Sequence, residues 1–469
     1  MEEKTAKQKS YFSLKNILAT PEKAFLTLAI TFGLLFLLVI PPFQVPDEPA
    51  HFFRVYQVSE GRLMAERKDN VAGGWVPASL VNTMSVWCDR IPFRPTEKVR
   101  GEQFSKSVRM PLERDNLTYA AFMSSAYSPI PYLPQVIGIN IGKFLNLPPV
   151  FILYLGRFTN LIVTTIIAFC AIKIIAGYKW IFFLLALTPM AINQRASLSA
   201  DALLNSVSFL IIAIIANFAC NPKKEKIFDR DVYLMAFLGI VLSLSKQVYF
   251  LLPFLCFMIP REKFGSSTKY WRSCLLIVGV NIIAWVAWST AMKDLVGIPV
   301  NPLVDASVER QTQYLLANPF TGISTAWNSL QDIEHVLREF IGFLGWLDTR
   351  IPAIVTIPYQ YMLLIVGLIS SQSNFIISKV RKKIIFGVFS GTIFLIYLSQ
   401  YMIWTPVGAM AVDGVQGRYL IPASPLFFLL LDNKRFSLKI SEQGLRSLIV
   451  YFSIFALTLS LIAIIDRFY

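Results

Sequence analysis

Histidine, cysteine and charge are all scarce in this chain: 2 His, 5 Cys and 16% charged residues among 469. His51 and His335 are too few to build a zinc site, which takes three or four clustered ligands. No Walker loop and no dinucleotide fingerprint occurs. These absences argue against an ATPase, a redox enzyme or a zinc hydrolase, and neither cofactor nor metal is expected. Cys170, Cys220, Cys256 and Cys274 lie in or beside apolar runs, and Cys88 lies alone in a polar stretch. Their spacing gives no disulfide or metal framework. Internal repeats and low-complexity tracts are missing as well. No small-residue cleavage site follows the polar, lysine-rich residues 1–23, so the first apolar run is expected to stay as an anchor.

What the chain has in abundance is hydrocarbon. Hydrophobic residues make up 55% of it, and mean hydropathy is +0.55. A membrane span needs roughly 20 apolar residues. Apolar runs fall near residues 24–40, 151–172, 180–194, 202–219, 232–245, 248–259, 273–291, 353–370, 384–403, 419–431 and 447–465. The net charge of +15 sits in short Lys/Arg clusters between these runs, which is the positive-inside pattern and not a nucleic-acid face. Membrane lipids are the expected partner of that charge.

The expected fold class is therefore all-α, a polytopic transmembrane bundle of about eleven spans. Residues 1–23 form a cytoplasmic tail, 24–435 the main transmembrane domain and 436–469 a final transmembrane helix. Segment 129–147, with Pro129, Pro131 and Pro134, decides the orientation. If it lies on the surface, the basic clusters around Lys223–Arg230, Arg261–Arg272, Lys379–Lys383 and Lys434–Arg446 all fall inside. Two large outer loops then result, 41–150 and 293–350, both expected to carry juxtamembrane helices. Residues 47–64 read as an amphipathic helix at the interface.

That topology gathers ionisable side chains at the outer face. Asp47 and Glu48 follow the first span on a turn stiffened by Pro41, Pro42, Pro46 and Pro49. Either carboxylate could cap the next helix or act as a base toward a hydroxyl. His51 and Arg54 follow at helical spacing. Asp201 stands between two spans, as a cap or as a second acid. Arg195, Lys246 and Arg418 each stand at an outer helix end, beside Gln194, Gln247 and Tyr419. They can snorkel to head groups or hold a lipid phosphate. In Gly414-Val415-Gln416-Gly417-Arg418-Tyr419 the glycines would let backbone approach a ligand. Asp348 closes Gly345-Trp346-Leu347-Asp348, where an aromatic belt is the plain alternative.

Taken together, Pro46-Asp47-Glu48-Pro49-Ala50-His51-Phe52 with Arg54 and Tyr56, Thr188-Pro189-Met190, Ser197-Leu198-Ser199-Ala200-Asp201, Lys246 with Tyr249, Gly345-Trp346-Leu347-Asp348 and Gln416-Gly417-Arg418-Tyr419 resemble a bacterial family of largely uncharacterised membrane proteins. The similarity runs over roughly residues 25–435, and its first motif is the specific one. That family in turn resembles the GT-C glycosyltransferases. The resemblance implies a polyprenyl-phosphate-linked sugar as donor and a glycan or lipid-linked acceptor, on the outer face of the bacterial cytoplasmic membrane. It implies inverting transfer without a required metal. Asp47, with Glu48 as its rival, would be the base. Lys246 and Arg418, with Arg195 and Tyr419, would hold the donor phosphate, while His51, Arg54, Asp201 and Asp348 would line the substrate site. A transporter for a lipid-linked glycan and a non-catalytic assembly partner are the other classes compatible with these residues. Nucleic acid is not an expected partner.

Overall fold

The computed structural model describes residues 20–69, 71–296, 305–370, 375–433 and 441–469. Most of the expected cytoplasmic tail, and Lys434, Arg435 and Lys439 of the last basic cluster, lie outside the described residues.

Among the described residues helices dominate, and six of them are long and apolar enough to cross a membrane. The first, α1 (Pro21–Val39), opens on a proline whose missing N–H costs nothing at a helix start. It leads into α2 (Glu48–Ser59). Strands β1 (Glu66–Lys68) and β2 (Val71–Pro77) come next, then α3 (Ala78–Cys88), α4 (Gly101–Arg109) and β3 (Leu117–Ala121). After them run α5 (Leu133–Phe144), the long α6 (Pro149–Ile174), the short α7 (Lys179–Ala186) and α8 (Pro189–Arg195), and the long α9 (Asp201–Cys220). The remaining larger helices are α10 (Asp229–Ser245), the long α11 (Ser267–Ala291), α12 (Val308–Ala317), α13 (Thr321–Ser329), α14 (Ile333–Gly342), α15 (Ala353–Ile369), the long α16 (Lys379–Ile403), α17 (Ser424–Leu430) and the long α18 (Glu442–Phe468).

Several expected elements take another form. The run at 180–194 is two helices, because Pro189 lacks an N–H and Thr188 turns extended to cap Ala191, 3.2 Å away. The runs at 248–259 and 419–431 contain tight 3-10 turns. Runs 232–245 and 353–370 are helices of 17 residues. The six long helices match the other expected runs.

The fold is also not purely helical. β1, β2 and β3 form an antiparallel sheet in that order, with Trp75 opposite Tyr119. Propensity conceals β2, whose centre is Gly73-Gly74. These positions need glycine for close approach: a Cβ on Gly73 would meet the Ala120 carbonyl oxygen at 2.0 Å. Nor is α2 an interfacial helix. His51, Phe52, Phe53, Arg54, Val55, Tyr56, Gln57 and Val58 are all buried, because the sheet, α3, α5 and the 122–132 segment enclose it around Phe43, Phe52, Val76, Leu80 and Tyr132. A second, larger apolar core fills the bundle.

At 12 residues, α5 is about 18 Å long, against a hydrocarbon core of about 30 Å. One of its faces lies on α6, and Leu133, Ile137, Ile141 and Phe144 remain exposed on another. The first and last long helices end side by side. Tyr469 donates a hydrogen bond to the Val39 carbonyl at 3.1 Å, and the Val99 N–H donates to the Phe468 carbonyl at 2.8 Å. Their C-terminal ends therefore meet at the same end of the bundle.

Gly138 sets the distance between α5 and α6, since a Cβ there would lie 2.1 Å from the Leu155 carbonyl oxygen. Backbone cannot yield as a flexible side chain does. Gly138→Leu is expected to cost at least about 1–3 kcal/mol, read as a lower melting temperature of the purified protein. An unchanged melting temperature would show that the two helices separate freely.

Candidate functional site

Four segments distant in sequence bring their charges together at the end of the bundle where α1 terminates. Asp47 lies between α1 and α2 with φ of 63°, a left-handed conformation that Asp tolerates better than most residues. It occupies the cap position of α2 but makes no side-chain capping bond. Its carboxylate instead accepts a hydrogen bond from Arg418 Nη2 at 2.6 Å. Arg418 Nε stands 3.8 Å from Asp201 Oδ2. The other Asp201 oxygen lies 3.6 Å from Lys246 Nζ, which sits 3.7 Å from the centre of the Tyr419 ring. Gln194 Nε2 donates to Asp201 Oδ2 at 3.2 Å, and Asn205 Nδ2 fixes Gln194 through its amide oxygen at 2.7 Å.

Each member sits where a helix starts, stops or breaks. Asp201 opens α9, Lys246 follows the last residue of α10, and Arg418 lies in the 3-10 turn before α17. Such interruptions leave side chains free to project from helix ends. Tyr249 holds the Arg418 turn from below by donating to the Tyr419 carbonyl at 2.7 Å. Gly417 is required by packing against protein and not by approach to a ligand: its Cβ would collide with the Phe340 nitrogen at 2.2 Å and the Val336 oxygen at 2.3 Å. Its N–H donates to Glu339 at 2.8 Å.

Two carboxylates face two cations, so the cluster is balanced, yet its donors are not used up. Arg418 Nε is buried without a hydrogen-bond acceptor, and the 3.6 Å from Lys246 to Asp201 exceeds hydrogen-bond length. Burial alone would raise the Asp47 carboxyl, but Arg418, through its charge and its hydrogen bond, outweighs it and holds the group below its ordinary range. His51 borders the cluster. Its Nδ1 pairs with the Tyr132 hydroxyl at 2.8 Å. Burial pulls its imidazole below the ordinary value, against the opposing pull of Asp47 and Asp201, which leaves it neutral at neutral pH.

The structure draws the other expected site residues elsewhere. Glu48 is fully buried and turned away from Asp47's partners. Arg157 grips it with Nε at 2.8 Å and Nη2 at 2.5 Å, and the Leu198 N–H adds a third bond at 3.1 Å. The same guanidinium donates to the carbonyls of Ile40 at 2.8 Å and Pro41 at 3.0 Å, at the end of α1. Arg54 spends its donors on the carbonyls of Tyr127 and Leu63 and on Gln57. Arg195 points toward the start of α1, stacking 5.5 Å from Phe25 and donating to the Ala186 carbonyl. Asp348 is tied at 2.7 Å to Arg467, which also holds the Glu97 and Ile91 carbonyls. In each case the charged side chain found a protein partner in place of the cluster.

Sequence reasoning missed Asn205 and the partnership of Glu48 with Arg157. Asn205 carries a readable signal, four residues after Asp201 on one helix face. The pair at 48 and 157 carries none.

A helical bundle with six membrane-length segments and a polar cluster at one end defines a helical membrane protein. The chain belongs to a family of predicted membrane proteins, DUF2142, whose sequence model matches residues 30–427. No curated protein and no solved structure matches it.

Removing one member of the buried Glu48–Arg157 pair strands the other. Arg157→Met is expected to cost about 3–5 kcal/mol, seen as loss of folded protein or a sharply lower melting temperature. Arg157→Met behaving like wild type would remove the pair from the fold's framework. For Asp47, a folded-state pKa below the unfolded value means that its pairing with Arg418 stabilises fully above pH about 4. The contribution disappears as pH falls through the depressed folded value. The melting-temperature gap between wild type and Asp47→Asn should accordingly narrow below pH about 4 and stay constant from there to neutrality.

Proposed function

We propose that this protein is a membrane glycosyltransferase of GT-C type that moves a sugar from a polyprenyl-phosphate carrier to a glycan or lipid-linked acceptor at the outer face. The observation that carries this reading is the convergence of Asp47 and Asp201 with Arg418, Lys246 and Tyr419. An acid able to take a proton lies one hydrogen bond from cations with unspent donors, as transfer from a phosphate leaving group requires.

In this reading the acceptor hydroxyl gives its proton to an Asp47 carboxylate oxygen while its own oxygen bonds to the anomeric carbon. The anomeric C–O bond to phosphate breaks on the opposite side, its electron pair leaves with polyprenyl phosphate, and configuration inverts. Arg418 and Lys246 balance the charge that develops on the phosphate. Asp201 and Tyr419 aim those two cations. Glu48 is withdrawn from the reaction by its three hydrogen bonds, so Asp47 is the base. Arg195 and Arg54 take no part, since Arg195 turns to Phe25 and the Ala186 carbonyl and Arg54 to the Tyr127 and Leu63 carbonyls, away from the cluster.

The resting pair gives the mechanism an order. While Arg418 binds Asp47, the carboxylate is a weak base. A donor phosphate that takes Arg418 for itself releases Asp47 and raises its proton affinity, so the base is armed when the donor is seated.

Asp47→Asn should abolish transfer in membranes supplied with a lipid-linked sugar, with protein level and donor binding intact. Normal transfer by this variant would sink the base assignment, and loss of carrier translocation instead of glycosyl transfer would favour a transporter. The acid limb of kcat/KM should fall below pH about 4, and the limb of kcat, reporting the donor complex, should lie higher. Coincident limbs would reject the exchange of Arg418 from Asp47 to phosphate.

A further inference from the structure

The opposite end of the bundle carries a cavity of about 590 Å³, lined by Cys170, Lys173 and Ile174 of α6, Lys179 of α7, Asn217 of α9, and the following Asn221 and Lys224. Three lysines line this space, and among the described residues the one ion pair they make is that of Lys179 with Glu22, at 3.5 Å. Lys173 and Lys224 have no carboxylate within ion-pair distance among the described residues. Like charges at this density repel one another unless an anion joins them.

A second donor set is built into the wall. Asn217 is only 6% exposed. Asn221 Oδ1 accepts from the Lys223 N–H at 3.0 Å, which fixes the orientation of the Asn221 amide. The Asn221 Nδ2 then donates to Asn217 Oδ1 at 2.9 Å. That bond identifies the remaining atom of the Asn217 amide as its Nδ2, a donor without an acceptor among the described residues. A buried amide donor and two unpaired ammonium groups around one space make a site for a phosphate oxyanion.

The wall also shows where the phosphate comes from. Along α6, Ile166, Cys170 and Ile174 follow at four-residue spacing, and Ile166 and Ile174 are exposed apolar side chains. The cavity thus opens beside a flank that hydrocarbon covers in a membrane. Basic pockets between helices at a membrane surface bind anionic head groups by this combination of charge and adjoining apolar wall. We propose that this cavity binds a phosphate oxyanion, supplied by the head group of an anionic phospholipid in the leaflet at that end.

The test uses the purified full-length protein in a neutral detergent. Its melting temperature is followed during separate titrations with phosphatidylglycerol, phosphatidylcholine and inorganic phosphate. The expected result is a saturable rise with phosphatidylglycerol, none with phosphatidylcholine, and a midpoint shifted roughly tenfold or more in Lys173→Gln/Lys224→Gln. Lys173 and Lys224 are exposed, so the double variant should fold. Lys379→Gln/Lys383→Gln removes two exposed charges that do not line the cavity and should titrate as wild type does. A saturable rise with inorganic phosphate that the cavity variant loses supports the oxyanion site and assigns it to free phosphate. Equal titrations of wild type and cavity variant, equal losses in both double variants, or no rise with either anion would overturn the proposal.

Discussion

The clamp of Arg157 on Glu48 is the interaction on which the placement of everything at that end of the bundle depends. One guanidinium spans the end of α1 through the carbonyls of Ile40 and Pro41, and the start of α2 through the Glu48 carboxylate. The carboxylate in turn holds the Leu198 N–H of the loop that leads to Asp201. Three chain segments thus meet at one buried charge pair. A helix C-terminus favours a cation and the first turn of a helix favours an acid, so Arg157 and Glu48 complement both backbone dipoles as well as each other. Asp47 is adjacent in sequence to the clamped residue, and its position follows from Glu48's.

That adjacency explains why two neighbouring carboxylates have opposite fates. Successive residues at a helix start point in different directions, and Asp47, with its left-handed backbone, faces Arg418 while Glu48 faces Arg157. A buried carboxylate is tolerated only when paired and hydrogen-bonded. Glu48 meets that condition fully and is thereby fixed. Asp47 meets it through one cation that also faces Asp201, and so keeps an alternative. The more exposed and less saturated of the two acids is the one able to exchange partners.

How much of this was legible in the sequence depends on the range of the signal. The membrane class and the six long helices follow from composition and apolar runs, which are local. The breaks at Pro189 and near Pro422 were written in proline but read through, because the apolar composition continues across them. The sheet was hidden by Gly73 and Gly74, selected for approach to Ala120 and Gln57 rather than for strand propensity. Among the candidate site residues, Asp47, Asp201, Lys246 and Arg418 could be named because charge at an apolar run's edge is conspicuous. Their partners could not be assigned: nothing local distinguishes Arg195, which turns down onto Phe25, from Arg418, which turns to Asp47. Three-dimensional register decides that, and single-sequence periodicity does not carry it.

The two ends of the bundle handle clustered charge in different ways. At the Asp47 end, acids and cations are matched within the chain, so the cluster survives without a ligand but retains donors that an incoming phosphate can claim. At the opposite end, Lys173, Lys179 and Lys224 outnumber their single carboxylate, Glu22. That imbalance is stable beside an anionic leaflet, where each lysine gains about 1 kcal/mol from the surface potential. A protein arranged this way gains a directional bias from electrostatics alone, since inverting it would remove the lysines from the anionic surface. In the proposed reaction the exchange belongs to the balanced end, where Arg418 is already hydrogen-bonded to an acid, Asp47, that a phosphate would displace, whereas at the other end an anion would mainly neutralise a surplus of base.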